Sequence, residues 1–218
     1  MLLHAVIVPP PSELAGIAHV LESFEVADPV VDPSPPPRTS RFLRRRRGIA
    51  PDVPTPTTTE RELDLIAPAA MNLPIAGFGN VTSGDAARLV DTMKNAAAHW
   101  AVPTVWFAGG GALEFPDDRS VWAKLDGDVD ALVSVARGIV ESVASRGFFV
   151  DRRRFRPWLA VATITESTSA TYLERAVAAL DAYRGEPWTV AWVSVTKPSF
   201  GPVPGTVAEA YRIPLATA

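Results

Sequence analysis

Short apolar runs alternate along this chain with segments whose apolar residues recur every three or four positions. The run over 2–8 is closed by three prolines, which predicts a short first strand. In 129–144 the apolar residues recur at helical spacing, which predicts an amphipathic helix. The β-branched run over 159–164 predicts a buried strand. The same criteria predict helices over 12–24, 85–100 and 171–183, and strands near 72–77, 102–108, 121–125, 189–196 and 207–213.

Local signals refine these elements. Ser12 and Ser83 are predicted to cap the helices that follow them, because a serine hydroxyl can accept a hydrogen bond from the first turn. Glu13 then lies in a first helical turn, where the helix dipole favours an acid. The glycines at 109–111 are predicted to form a tight turn. The resulting order of elements predicts an α+β protein with helices on one face of antiparallel sheets.

Residues 27–61 differ from the rest of the chain in composition. They hold eight prolines and a cluster of arginines, and such a segment has little apolar surface to bury. Because neither flank would form a domain alone, we expect a single two-lobed domain over 1–218 with 27–61 inserted as an arm. The arginines of this arm are Arg38, Arg41, Arg44, Arg45, Arg46 and Arg47.

The charge of the chain is unevenly distributed. Residues 38–47 carry six arginines and no acid, so a net charge of −3 for the whole chain leaves −9 on the rest. An acidic body is poorly suited to binding RNA through its phosphates. The arm itself could dock a partner protein, bind nucleic acid or an anionic membrane surface, dock onto the acidic body of the same chain, or be a solvated insertion.

Composition excludes several classes of function. The chain has no cysteine, which removes disulfides, thiolate nucleophiles and cysteine-ligated zinc. Its histidines are His4, His19 and His99, and no two have metal-ligand spacing, so neither a metal nor another cofactor is expected. No apolar run approaches the roughly 20 residues that a membrane span needs, and we expect a cytoplasmic protein.

Several separate stretches together resemble one known family. They include Gly-Ala-Leu-Glu-Phe-Pro at 111–116, Val-Trp-Ala at 121–123, Gly-Asp at 127–128, the run 151–157 before a strand, and the ending 188–194 with 210–215. These stretches resemble the 2H phosphoesterase superfamily, in particular the LigT-like branch, the 2′-5′ RNA ligase and RNA 2′,3′-cyclic phosphodiesterase family. The resemblance covers nearly the whole chain except 27–61. It implies a two-lobed, pseudo-two-fold fold in which antiparallel sheets face a central cleft, with helices outside.

In that family two H-x-[ST] motifs face each other across the cleft. One imidazole takes a proton from the attacking hydroxyl, the other gives one to the leaving oxygen, and the two hydroxyls hold the phosphate. The segments that match these motifs here are 72–81 and 156–162, and the four motif positions read Asn72, Pro74, Trp158 and Ala160. An aromatic position of the first motif falls on Gly77, and a basic position after the second falls on Thr163. No catalytic motif is therefore intact.

The resemblance thus implies a degenerate, catalytically inactive member, a pseudoenzyme that binds a partner protein or a nucleotide or RNA ligand. Asn72, Trp158 and Thr163 are the candidate ligand-binding residues, and the indole could stack on a base. One alternative is an active phosphodiesterase with displaced catalytic groups. Another is a structural subunit that docks through its arginine-rich arm, with the cleft packed shut.

Overall fold

The computed structural model of this protein describes residues 1–26, 62–115, 118–151, 153–199 and 203–216. Its helices are α1 (Pro11–Val26), α2 (Ser83–Ala97), α3 (Val129–Ala144) and α4 (Ala170–Ala182), with a 3₁₀ turn at Pro68–Ala70. Its strands are β1 (Leu2–Ile7), β2 (Leu63–Leu65), β3 (Leu73–Asn80), β4 (Thr104–Phe115), β5 (Asp118–Gly127), β6 (Trp158–Ile164), β7 (Trp188–Thr189), β8 (Trp192–Pro198) and β9 (Val207–Pro214). None of these helices is both long and apolar enough to cross a membrane.

The strands form two antiparallel sheets. The first sheet has the order β3-β1-β8-β9, and the second has the order β2-β6-β5-β4-β7. Helix α2 packs against β9 and α3 against β3, so these helices cover one face of the first sheet. Helix α4 packs against β4 of the second sheet, and α1 packs against α4. The prediction of an α+β, two-lobed protein with antiparallel sheets is confirmed.

The chain crosses from one sheet to the other within a segment that the sequence predicts to be one strand. Residues 189–196 are divided instead between β7 of the second sheet and β8 of the first. Val190 and Ala191 connect the two strands, and the Val190 amide donates to the Pro103 carbonyl at 2.9 Å. Because the apolar pattern continues through the connection, only the tertiary packing reveals the break.

The first turn of α2 is capped differently from the prediction. The helix begins at Ser83, and its cap is the preceding Thr82, whose hydroxyl accepts a hydrogen bond from the Asp85 amide at 3.1 Å. Likewise α1 begins at Pro11, which places Ser12 inside the first turn instead of before it. Helix α1 thus begins one residue earlier than predicted, and the cap of α2 lies one residue before the predicted one.

The predicted turn at the three consecutive glycines is wrong, because β4 continues through them to Phe115. A β-bulge lies between Phe107 and Gly110, and Gly109 within it has a φ of 96°. A β-carbon on Gly110 would lie 2.7 Å from the Val177 carbonyl oxygen and 2.8 Å from the Leu180 β-carbon. Glycine is therefore required here by the close approach of α4 to the strand, not by a change of chain direction.

Replacing Gly110 by alanine should separate α4 from β4. The added methyl group would meet backbone and core atoms, and overpacking of this kind costs about 1–3 kcal/mol of unfolding free energy. Gly84→Ala is the matched control, since a β-carbon there meets nothing within 4 Å. Urea unfolding of both variants measures the difference. Equal stabilities for the two variants would show that α4 does not press on the strand.

Glu13, which the sequence places in the first turn of a helix, is buried. It is 6% exposed, and its Oε2 has no hydrogen-bond partner among the described residues. A β-carbon on Gly185 would lie 2.6 Å from that oxygen, so the carboxyl packs against the backbone of the segment after α4. Burial raises the pKa of Glu13 above its usual value of 4.5, and the charge of Glu186 adds to the effect.

The buried Glu13 carboxyl should make stability depend on pH. Because the folded state holds this proton more tightly than the unfolded chain, the unfolding free energy falls as pH rises from 4.5 through the raised pKa. Glu13→Gln, which is neutral throughout, should gain about 1 kcal/mol over the wild type at pH 8 and little at pH 4. Urea unfolding at both pH values measures this, with the exposed Glu22→Gln on the same helix as control. A gain of equal size at both pH values would contradict the prediction.

Candidate functional site

The strands that carry the two motif segments, β3 and β6, belong to different sheets and contact each other. In the first sheet Pro74 pairs with Val6 of β1 and Gly77 pairs with His4. In the second sheet Trp158 pairs with Lys124 and Ala160 pairs with Trp122 of β5. Directly paired residues of antiparallel strands project from the same face of a sheet.

A cavity of about 440 Å³ lies where these strands meet. Strand residues supply part of its lining, and the segment that leads into β6 supplies the rest. The lining residues are Pro74, Asp118, Trp122, Arg153, Arg154, Arg156 and Trp158. We call it the Arg–Trp cavity. It contains two of the four motif positions, Pro74 and Trp158, and the indole of Trp158 leaves the space open.

Two indoles form the aromatic part of the Arg–Trp cavity. The rings of Trp122 and Trp158 have centroids 6.4 Å apart and an interplanar angle of 59°, a tilted arrangement of the kind that aromatic pairs favour. The guanidinium carbon of Arg156 lies 5.9 Å from the centroid of the Trp158 ring, within reach of a cation–π contact. The Trp122 Nε1 is buried and has no hydrogen-bond partner among the described residues.

Three guanidinium groups line the same cavity and are only loosely paired. Arg156 Nη1 lies 3.8 Å from Asp118 Oδ2, and Arg153 Nε lies 3.6 Å from Asp151 Oδ2. Both arginine side chains are more than half exposed, so these ion pairs are weak. Arg154 has no ion pair within the part of the chain that is described. The lining therefore carries three positive charges against the single carboxylate of Asp118.

The missing side chain at Gly77 leaves room for an acid and an imidazole. A β-carbon there would lie 2.9 Å from Asp151 Oδ2 and 3.3 Å from His4 Nδ1, so these groups are neighbours beside β3. The Asp151 amide also donates to the Gly77 carbonyl at 2.9 Å, which fixes the start of the segment that carries the arginines. Asp151 thereby links this neighbourhood to Arg153.

The remaining predicted positions lie around the cavity instead of lining it. The Asn72 side-chain amide donates to the Ala70 carbonyl at 3.1 Å. Ala160 is half-buried beside Trp122. Thr163 is exposed and pairs with Asp64 of β2 and Ser120 of β5.

The predicted partner-binding arginines lie outside the described residues. They are Arg38, Arg41, Arg44, Arg45, Arg46 and Arg47. Their role stays a prediction.

Sequence reasoning does not identify Trp122, Arg153, Arg154 and Arg156 as site residues. The available signal is the cluster of arginines immediately before the second motif, a stretch that also carries the family resemblance. Among the described residues no three His, Asp or Glu side chains are grouped so that they could hold a metal ion.

The comparisons with known proteins establish the fold of this chain and nothing further. No protein-family model matches the chain, and no curated protein matches it significantly. Among solved structures, E. coli LigT complexed with 3′-AMP superposes with a TM-score of 0.65 at 14% identity, over 99% of this chain and 98% of LigT. The protein TT0787 of Thermus thermophilus superposes with a TM-score of 0.59 at 14% identity, over 99% of this chain and 98% of TT0787. The chain therefore has the two-lobed fold of LigT-like 2H phosphoesterases.

Proposed function

We propose that this protein is a degenerate 2H phosphoesterase that binds a nucleotide in the Arg–Trp cavity without hydrolysing it. The proposal rests on the side chains that β3 and β6 present to the cavity, which differ from those that the family resemblance implies. The cavity remains open, but Pro74 and Trp158 line it where the family resemblance implies a hydroxyl and an imidazole, beside three guanidinium groups. Such a lining can hold a phosphate and a base but has no imidazole to transfer a proton.

The charge of the lining suits a phosphate group. A guanidinium can donate two parallel hydrogen bonds to a phosphate and remains charged at any physiological pH. Arg154 is exposed and unpaired within the described residues, so it can bind an anion without first breaking an ion pair. Arg153 and Arg156 lose little on changing partners, because their present contacts are 3.6 Å and 3.8 Å long.

The aromatic part of the lining suits a nucleobase. An indole stacks on any base, and a contact of this kind contributes about 1–3 kcal/mol. A volume of about 440 Å³ lies within the range of pockets that hold small ligands. E. coli LigT has been solved with 3′-AMP, NADP⁺, ATP and phosphate, which supports the choice of a nucleotide for this fold.

The motif positions argue against the family's reaction. An amide, a pyrrolidine ring, an indole and a methyl group occupy them, and none of these transfers a proton near neutral pH. Each missing acid or base typically lowers the rate by a factor of about 10²–10⁴.

The alternative of an active phosphodiesterase rests on His4. It lies on the strand next to β3, beside Asp151, and could act as a displaced base. It does not line the Arg–Trp cavity, and a single imidazole replaces only one of two.

Binding of 3′-AMP measured by isothermal titration calorimetry tests the proposal. Arg154→Gln should weaken binding about tenfold, because a hydrogen bond to a charged group is lost. Its matched control is Arg137→Gln, which removes an exposed arginine from α3 and should leave the affinity unchanged. Affinity should also fall as salt is raised. Equal affinities for Arg154→Gln and wild type would place the nucleotide elsewhere.

Incubation with an RNA oligonucleotide ending in a 2′,3′-cyclic phosphate tests the absence of catalysis. We expect no product above the buffer blank after hours at micromolar protein, because both acid–base groups are missing. His4→Gln is assayed alongside. Turnover by the wild type that is lost in His4→Gln would replace the binding proposal with the displaced-group alternative, and turnover that persists in His4→Gln would contradict both.

A further inference from the structure

A second cavity, of about 600 Å³, lies on the same face of the first sheet as Pro74 but toward β8 and β9. Ser194 and Thr196 of β8 pair with Val6 and His4 of β1, which places their side chains on that face. The cavity is bordered by the segment between β1 and α1, the 3₁₀ turn at Pro68–Ala70 and the connection between β7 and β8. It shares no lining residue with the Arg–Trp cavity. We call it the Trp–hydroxyl pocket.

The walls of the Trp–hydroxyl pocket are apolar and stiff. Proline side chains and two indoles form part of them, and prolines also lack an N–H group that a ligand would have to satisfy. The principal wall residues are Pro9, Pro10, Pro11, Met71, Trp188 and Trp192. Walls of this composition favour a flat apolar body over a hydrated or charged one.

Two hydroxyls lie on the β8 side of the pocket, and both already donate their proton to the protein. Ser194 and Thr196 are each 1% exposed. The Ser194 hydroxyl donates to Glu209 Oε2 at 2.6 Å, and the Thr196 hydroxyl donates to the His4 carbonyl at 3.4 Å. A hydroxyl has one proton and two lone pairs, so each of these can still accept a hydrogen bond but not donate one. This side of the pocket therefore favours a ligand that brings donors.

The charged groups of the pocket neutralise each other. Arg212 Nη2 lies 2.9 Å from Glu209 Oε1, and Arg212 also lies over the Trp192 ring at 4.4 Å. Burial alone would raise the pKa of Glu209, but hydrogen bonds from Ser194 and Arg212, with the charge of Arg212, hold it below its usual value. Glu209 is therefore ionised and compensated. The charged groups of the pocket add up to no net charge, which disfavours a phosphate. The lining also has one donor, the buried Trp188 Nε1, which has no hydrogen-bond partner among the described residues.

We infer that the Trp–hydroxyl pocket binds a small uncharged aromatic molecule that carries an N–H or O–H donor on one edge. The ring would lie between the proline turn and the two indoles, and its donor would point to the hydroxyls of Ser194 and Thr196. The volume accommodates one or two fused rings with room for a substituent. The ligand chemistry is thus the opposite of that in the Arg–Trp cavity.

Three related probes test this assignment: indole, 1-methylindole and indole-3-acetate. Indole is uncharged and has a donor, 1-methylindole lacks the donor, and indole-3-acetate adds a negative charge. We expect indole to bind, and each of the other two to bind about tenfold more weakly. Amide chemical shifts of the isotope-labelled protein, recorded during the titration, locate the ligand. Changes centred on β8 and β9 support the inference, and changes centred on 153–158 overturn it.

Thr196→Val removes one hydroxyl at nearly constant volume and should weaken indole binding about tenfold while leaving 1-methylindole unaffected. Ser194→Ala provides a second variant with the same expectation, and unfolding midpoints confirm that each variant is folded. Arg154→Gln should leave indole binding unchanged. Equal affinities for indole and 1-methylindole in the wild type would overturn the inference.

The two binding proposals can be tested separately. Thr196→Val is also titrated with 3′-AMP, which it should bind like the wild type. Loss of indole binding with 3′-AMP binding retained supports separate sites. Loss of both in the folded variant overturns the separation on which this inference rests.

Discussion

The Arg–Trp cavity depends on the register of two strands that belong to different sheets. Strand β3 is an edge strand of the first sheet, β6 is an inner strand of the second, and the two meet with Pro74 and Trp158 on the faces that border the same space. Because side chains alternate along a strand, a shift of one residue in either pairing would turn these positions toward the helices. The buried alternate residues hold the register: Leu73 and Ile75 on β3 and Leu159 and Val161 on β6 are fully buried. The hydrophobic core thereby fixes which side chains reach the site.

Given that register, the two cavities differ in the charge of the side chains that line them. The Arg–Trp cavity lies at the junction of the sheets, and its guanidiniums come from the irregular segment before β6, where the three arginines are exposed. The Trp–hydroxyl pocket is built on paired strands, where Arg212 and Glu209 stand opposite Ser194 and Thr196 and the charges balance. A chain of net charge −3 thus holds one locally positive site and one neutral site on the same face of its first sheet.

The sequence pattern predicts correctly those helices and strands that are determined by residues close together in the chain. The helix over 129–144 has a strong apolar stripe and matches α3 in both bounds. The prediction fails at the glycines of β4 because their cause is α4, about 70 residues further on, which no local pattern reveals. The break at Val190 and the burial of Glu13 have the same origin in distant packing. At the site, the resemblance locates Pro74 and Trp158, whereas the arginines escape prediction because an arginine before a strand usually indicates only a solvated loop.

Which residues the protein can accept at Gly77 depends on the residue at position 151. Any side chain at 77 would meet the Asp151 carboxylate, and that carboxylate contacts Arg153 in the cavity. Changes at 77 and 151 are therefore coupled: a larger residue at 77 is compatible with the fold only if 151 becomes smaller or moves, and either change frees Arg153. In evolutionary terms this is epistasis: the effect of a substitution at Gly77 on β3 depends on the residue at 151, where the arginine segment begins. An aromatic side chain at 77 would therefore alter the charge balance of the cavity as well as its shape, because it would displace the carboxylate that contacts Arg153.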